Sequence, residues 1–215
     1  MHTFFNMKEV VGGEHHDLRG CVTDTLGTIA SAVGKEKFLP YMDKSFHLAF
    51  EGLKMDSSRL RESAFVFFAV MAEVLKDELI PVLPQIMPSL IETLNQEDID
   101  FGDKLTEEDA KRLLEGNEDE GFESDDDDDE SVELNVNSAL QLEKEIAADS
   151  LGEIFINVKS GFLPYLQTAT EQLLELAGTF YDGARKSALS SLWHFVVTLG
   201  GLQITEEWQP GLPLV

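Results

Sequence analysis

Apolar residues recur along this chain at i, i+4, i+8, i+11 and i+15, the spacing that lines one face of a 3.6-residue helix. Four windows share the pattern, each aligned on a basic residue that directly follows the first column: Arg19, Arg61, Lys144 and Arg185. The columns read Leu18, Val22, Leu26, Ile29, Val33; Leu60, Ala64, Phe68, Met71, Leu75; Glu143, Ala147, Leu151, Ile154, Val158; and Ala184, Ala188, Leu192, Phe195, Leu199. Only Glu143 among these twenty is not apolar. The pattern predicts four amphipathic helices with one face each turned to a common core.

A second landmark keeps the same beat. Phe38-Leu39-Pro40-Tyr41 recurs as Phe162-Leu163-Pro164-Tyr165, with a looser copy at Leu79-Ile80-Pro81-Val82. Proline is tolerated in a first helical turn, where its missing N–H has no intrahelical partner in any case. Each copy is therefore expected to open a further helix, over 40–53, 81–94 and 164–177. Pro84 and Pro88 should kink the middle one or delay its start. A helix pair every 41 or 42 residues matches the HEAT class of repeat and predicts an all-α solenoid, a right-handed ribbon of about four stacked pairs. Neither end carries the polar cap that a terminal repeat needs, and 201–215 reads as the start of a further repeat, so a longer solenoid is the expectation.

One cycle is overlong, because Arg61 to Lys144 and Pro81 to Pro164 both span 83 residues. The excess falls between the two helices of one pair. The chain thus divides into HEAT repeats over 1–94, the first of them partial, an insertion over 95–137, and further repeats over 138–200. The insertion carries most of the charge. The 215 residues hold 16 Lys and Arg against 41 Asp and Glu, a net of −25, and residues 96–136 alone hold 19 acids and three basic residues. Its densest part has too much self-repulsion and too little apolar area to fold alone, so disorder is expected there. Thr106, the acids after it and Gly116 give helix start and stop signals around 107–115.

Such a charge repels nucleic acid and attracts cationic partners. A single cysteine, Cys21, forms no intrachain disulfide, and the longest apolar run, Ala64 to Ala72, is about half of what a membrane span needs. A cytosolic or nuclear setting without membrane insertion follows as the expectation. The five histidines show no metal-ligand spacing, and no phosphate-binding glycine loop or nucleophile motif is present, so no metal, cofactor or catalytic residue is assigned. Two acidic features remain. Asp125, Asp126, Asp127, Asp128, Asp129 and Glu130 form a tethered polyanion suited to Lys/Arg-rich segments. Glu145, Asp149 and Glu153 stand at i, i+4 and i+8, opposite the core columns, where like charges disfavour each other by about 0.2–0.5 kcal/mol per pair unless a cation visits. Corresponding positions on the other helices are Asp24, Glu62, Glu73 and Trp193, so an acidic wall containing one aromatic is predicted to hold basic, extended peptides. A solvated helix face or a solubilising excursion would carry the same residues.

The Pro-led helix, the turn Leu26-Gly27-Thr28-Ile29-Ala30 echoed by Leu151-Gly152-Glu153-Ile154, the acidic insertion splitting one repeat, and Phe180-Tyr181-Asp182-Gly183-Ala184-Arg185 together resemble the importin-β (karyopherin-β) family, nearest its beta-4 branch. HEAT patterns usually place an Asp six residues ahead of the Arg, where this chain has Gly13, Met55 and Thr179. The resemblance implies nuclear import: basic cargo such as histones or ribosomal proteins on the inner wall, release by the GTPase Ran in its GTP form, outer helices touching Phe-Gly nucleoporins, and shuttling between cytoplasm and nucleus. Two other classes use the same features differently. A structural HEAT scaffold would bind through hydrophobic ridges, and a histone-type chaperone mainly through the insertion.

Overall fold

The computed structural model of the chain describes residues 15–96 and 128–204, with residues 128–137, 203 and 204 described by backbone alone. Every regular element among them is helical. In chain order these are α1 (His16–Val33), α2 (Lys35–Lys54), α3 (Ser58–Leu75), α4 (Leu83–Leu94), α5 (Asp128–Val158), α6 (Leu166–Leu176) and α7 (Asp182–Ile204), with 3₁₀ segments over Lys76–Val82 and Lys159–Tyr165. The fold is an all-α HEAT-repeat solenoid. The second helices α1, α3, α5 and α7 form one row in which each packs on the next, and the first helices α2, α4 and α6 cover that row from one side.

The columns predicted to be apolar form the seam between the two layers. All five positions of α3 and of α5 are buried, and so are Val22 and Leu26 on α1 and Ala184, Ala188 and Phe195 on α7. The ends of the α1 column fray outward, with Leu18 and Val33 exposed. The first residue of each Pro motif, Phe38, Leu79 and Phe162, drops into this seam with no exposed surface. Phe162 stacks on Phe155 at a centroid distance of 4.9 Å and meets Phe195 edge-on at 5.4 Å, joining α5 and α7 through one aromatic cluster. Packed aromatic pairs of this kind contribute about 0.5–1.5 kcal/mol each beyond the area they bury.

Two expectations about helix starts are corrected, and the delayed start expected of the middle helix is found. α2 begins at Lys35, five residues before Pro40, because a proline at that depth removes a single donor whose partner carbonyl lies in a turn open to water. At the other two copies the proline stands in a 3₁₀ segment, and the α-helix opens two residues later, at Leu83 and at Leu166. Pro84 occupies the first turn of α4, the late start anticipated for that helix, and Pro88 lies inside it. α5 begins at Asp128, so the boundary expected at 137/138 falls within a helix. The helix expected over 107–115, the remainder of the insertion to residue 127 and the residues after 204 lie outside the described residues.

The turn that follows each of the first three second helices repeats in detail. Gly34, Lys76 and Lys159 stand fifteen residues after Arg19, Arg61 and Lys144, and have φ of 77°, 52° and 47°. Only glycine adopts such angles freely, so the two lysines hold strain of about 1–3 kcal/mol each. Neighbouring turns also touch: Lys35 pairs with Glu78, and a Cβ on Gly161 would come within 2.5 Å of Ile80 Cγ1.

Candidate binding surface of the second helices

The arginine landmarks Arg19, Arg61 and Arg185 are structural. Arg61 donates from Nε and Nη2 to the two carboxylate oxygens of Glu143, at 2.6 and 2.9 Å, bridging α3 to α5. Thr93, in the last turn of α4, donates to the same carboxylate at 3.2 Å. Glu143, the polar exception in the core columns, is thus a buried staple that ties the helix before the insertion, the helix after it and the preceding repeat into one node. This fork–fork geometry raises the pKa of Arg61 above its usual value. Sequence reading missed the pair, although a lone acid in an apolar column with a basic residue heading each repeat was the signal for it.

The residue six before the arginine also acquires a role. Nη1 of Arg61 donates to the Met55 carbonyl at 3.2 Å, and Nη1 of Arg185 to the Thr179 carbonyl at 3.5 Å. The main chain accepts where an Asp side chain stands in the usual pattern, so the repeat keeps its arginine contact without the aspartate. Cross-helix pairs continue with Arg19 to Glu51 at 3.5 Å and Arg59 to Asp24 at 2.7 Å. Asp182 accepts from Arg185 and from Lys186, and those cations, Lys186 first, hold its carboxyl below the ordinary range.

The proposed acidic rail is placed unevenly. Asp149 and Glu153 are exposed on α5. Glu145 is not opposite the core: it lies against Gly183 in the first turn of α7, where a Cβ would overlap its carboxylate. Partial burial and, after it, the charge of Asp149 raise its pKa, with Lys186 opposing. The α5–α7 contact captures Glu145 because Gly183 leaves it room, which no spacing within α5 discloses. Glu62, expected at a solvent position, is buried between α3 and α5; burial and then Glu143 push its carboxyl up, against the pull of Arg59 and Arg61. Asp24 is engaged by Arg59, and Glu73 is exposed. Trp193 is 65% exposed, on the flank of α7 away from α5, because Ser191 and His194 are the residues that meet α5 at Gly152. Asp128, Asp129 and Glu130 begin the backbone of α5, and Asp125, Asp126 and Asp127 lie outside the described residues.

The described surface therefore offers exposed carboxylates at Glu73, Asp149 and Glu153 and an indole at Trp193, carried on consecutive second helices. Such an array suits an extended cationic chain lying across the helices. Among the described residues no group of His, Cys, Asp and Glu could hold a metal ion, and no helix is long and apolar enough to cross a membrane.

No protein-family profile matches the chain. It is 46% identical over 210 residues to the probable importin subunit beta-4 of Schizosaccharomyces pombe, a match that covers 94% of this chain and 19% of that protein. The chain thus spans about a fifth of the length of the relative it matches. With that identity along nearly its whole length, and with the paired helices, the overlong acidic cycle and the arginine contacts just described, the chain belongs to the importin-β family, in its beta-4 branch.

Proposed function

We propose that this segment serves a nuclear import receptor by holding basic, extended cargo against the second helices. Asp149 and Glu153 are the fixed contacts, Trp193 is an apolar and cation–π platform farther along the row, and the acids of the insertion, Asp125 to Glu130, are an electrostatic lure. Glu145 drops out of the contact set, because α7 already occupies it. The observation that carries the reading is the pair of exposed carboxylates on α5, one turn apart and without a described cationic partner, in a chain of −25 net charge whose family is that of importin beta-4. Histones and ribosomal proteins have the basic segments such a surface takes. Release by Ran in its GTP form, contact with Phe-Gly nucleoporins and shuttling between cytoplasm and nucleus belong to the same proposal at the level of the whole receptor, and are assigned to no residue here.

The test measures binding of a Lys-rich peptide to the chain at two salt concentrations. Neutralising Asp149 and Glu153 together should weaken it more than neutralising Glu92 and Glu175, exposed acids of the first helices α4 and α6. Equal losses reject the assignment. Abolition of binding when residues 97–127 are deleted would favour a chaperone-like capture by the insertion alone, and binding indifferent to salt would favour a hydrophobic scaffold.

A further inference from the structure

The positions five and nine residues after the basic landmark are exposed or half-buried on every second helix. On α1 they are Asp24 and Thr28, on α5 Asp149 and Glu153, and on α7 Ser190 and His194, all polar. α3 alone breaks the pattern, with Val66 and Val70. Val66 is 40% exposed, and Val70 is half-buried beside Gly27 of α1, where a Cβ would stand 3.9 Å from its own. Glu62, the acid of α3 that precedes Val66 by one turn, is buried and leaves no charge at this point of the surface. Glu73, three residues after Val70 on the same face, is exposed. Toward α1, Asp24 is held by Arg59 at 2.7 Å, and the Thr28 hydroxyl donates to the Asp24 carbonyl at 3.0 Å. The surface therefore grades from free carboxylates on α5, through an aliphatic pair on α3, to a neutralised acid and an engaged hydroxyl on α1.

We infer that Val66 and Val70 are a specificity site for the cargo, taking an aliphatic side chain that stands about three residues from the basic residue held by Asp149 and Glu153. The inference rests on the proposed cargo surface and narrows its substrate class, from basic segments in general to basic segments with an aliphatic residue at a set distance. The distance follows from the packing. α3 and α5 lie directly on each other, packed helices are roughly 8–10 Å apart, and an extended chain advances about 3.3 Å per residue, so about three residues carry it from one helix to the next. Charge decides the kind of chain. Asp149 and Glu153 stand across the contact and Glu73 farther along α3, so cationic residues on either side of the aliphatic one are attracted and an acidic segment is repelled. The valines themselves favour a side chain that gives up water without losing hydrogen bonds. Because the same positions of α1, α5 and α7 are polar, only α3 offers such a contact, and it fixes the register of the cargo along the row. Trp193 keeps its part on the other side of α5, as the platform for a further cation.

The experiment titrates the 215-residue chain with fluorescent Gly/Ser peptides that carry a pair of lysines, and reads binding by anisotropy at low salt. One peptide has valine three residues beyond the lysines, a second has serine there, and a third has the valine moved next to the lysines; each is made in both chain directions. In one direction the first peptide is expected to bind about three- to tenfold more tightly than the second, and the third to lose that gain. Replacing Val66 and Val70 together with threonine puts hydroxyls in place of methyls, and should cancel the preference for valine while the serine peptide binds as before. Circular dichroism of that variant checks that it folds, and the comparison among peptides on the unaltered chain needs no variant at all. The inference is overturned if the valine and serine peptides bind alike in both directions, if moving the valine costs nothing, or if the threonine variant keeps the preference. Neutralising Asp149 and Glu153 separates this from the reading beneath it. Lysine peptides that weaken on that change but ignore valine overturn the specificity site alone, lysine peptides that do not weaken overturn the proposed cargo contacts, and a chain that binds none of the peptides overturns both.

Discussion

Replacing Glu143 with alanine removes the acceptor for three hydrogen bonds, two from Arg61 and one from Thr93, at a residue that is 1% exposed. Breaking a fully buried ion pair by deleting one partner costs about 3–5 kcal/mol, because the other charge is stranded away from water. Two features of the node reduce that figure. The Arg61 side chain is 20% exposed and keeps the Met55 carbonyl, so water and main chain recover part of its solvation. Loss of the Glu143 charge also relieves Glu62, whose carboxyl it pushes up. The expected loss is therefore about 2–3 kcal/mol, or about 1 M in the urea midpoint at an m value of about 2 kcal/mol/M. Urea titration followed by circular dichroism reads it directly, with an unchanged m value showing that the denatured state is unaffected. A cycle with Arg61→Met should return a coupling of about 2 kcal/mol, and the double variant Arg61→Met with Glu143→Leu should lie within about 1 kcal/mol of the parent. A loss below about 0.5 kcal/mol for Glu143→Ala, or a coupling near zero, would refute the staple as a source of stability.

The two copies of the Leu-Gly-x-Ile turn should answer alanine with opposite signs. Gly27→Ala places its methyl at ordinary contact distance and should stabilise by about 0.5–1 kcal/mol, while Gly152→Ala meets Ser191 at 2.5 Å and should cost about 1–2 kcal/mol, both read from urea midpoints. Lys76, at φ 52° and ψ −125°, should gain about 1 kcal/mol on change to glycine, whereas Gly34→Ala should lose about as much by the same titration. Glu62 has a folded-state pKa above its ordinary 4.5, so its protonated form is favoured by folding; that contribution is complete below the ordinary value and is lost as pH rises through the raised one. Glu62→Gln should accordingly stabilise the chain at pH 7 and flatten the change in thermal midpoint between about pH 4.5 and 7. Deleting residues 97–127 should leave the midpoint within a few degrees, because the Thr93–Glu143–Arg61 node lies wholly outside them.

The helices, their pairing and the beat of about 42 residues were legible in the chain because burial along one helix face depends only on spacing, and a repeat prints that spacing several times over. Leu26, Phe68, Leu151 and Phe195 are core for that reason, and Phe38 and Phe162 for standing at the same point of two copies of one motif. The exposure of Asp149 and Glu153 was legible on the same ground. Only the tertiary structure decided what lies between neighbouring helices. Glu143 is paired, Glu62 is buried, Glu145 rests on Gly183 and Trp193 stands open because partners 38 to 82 residues away in the chain supply or withhold a charge, a cavity or a covering face. Periodicity reports which way a side chain points from its own axis, and only the packing of one helix on another determines what waits there.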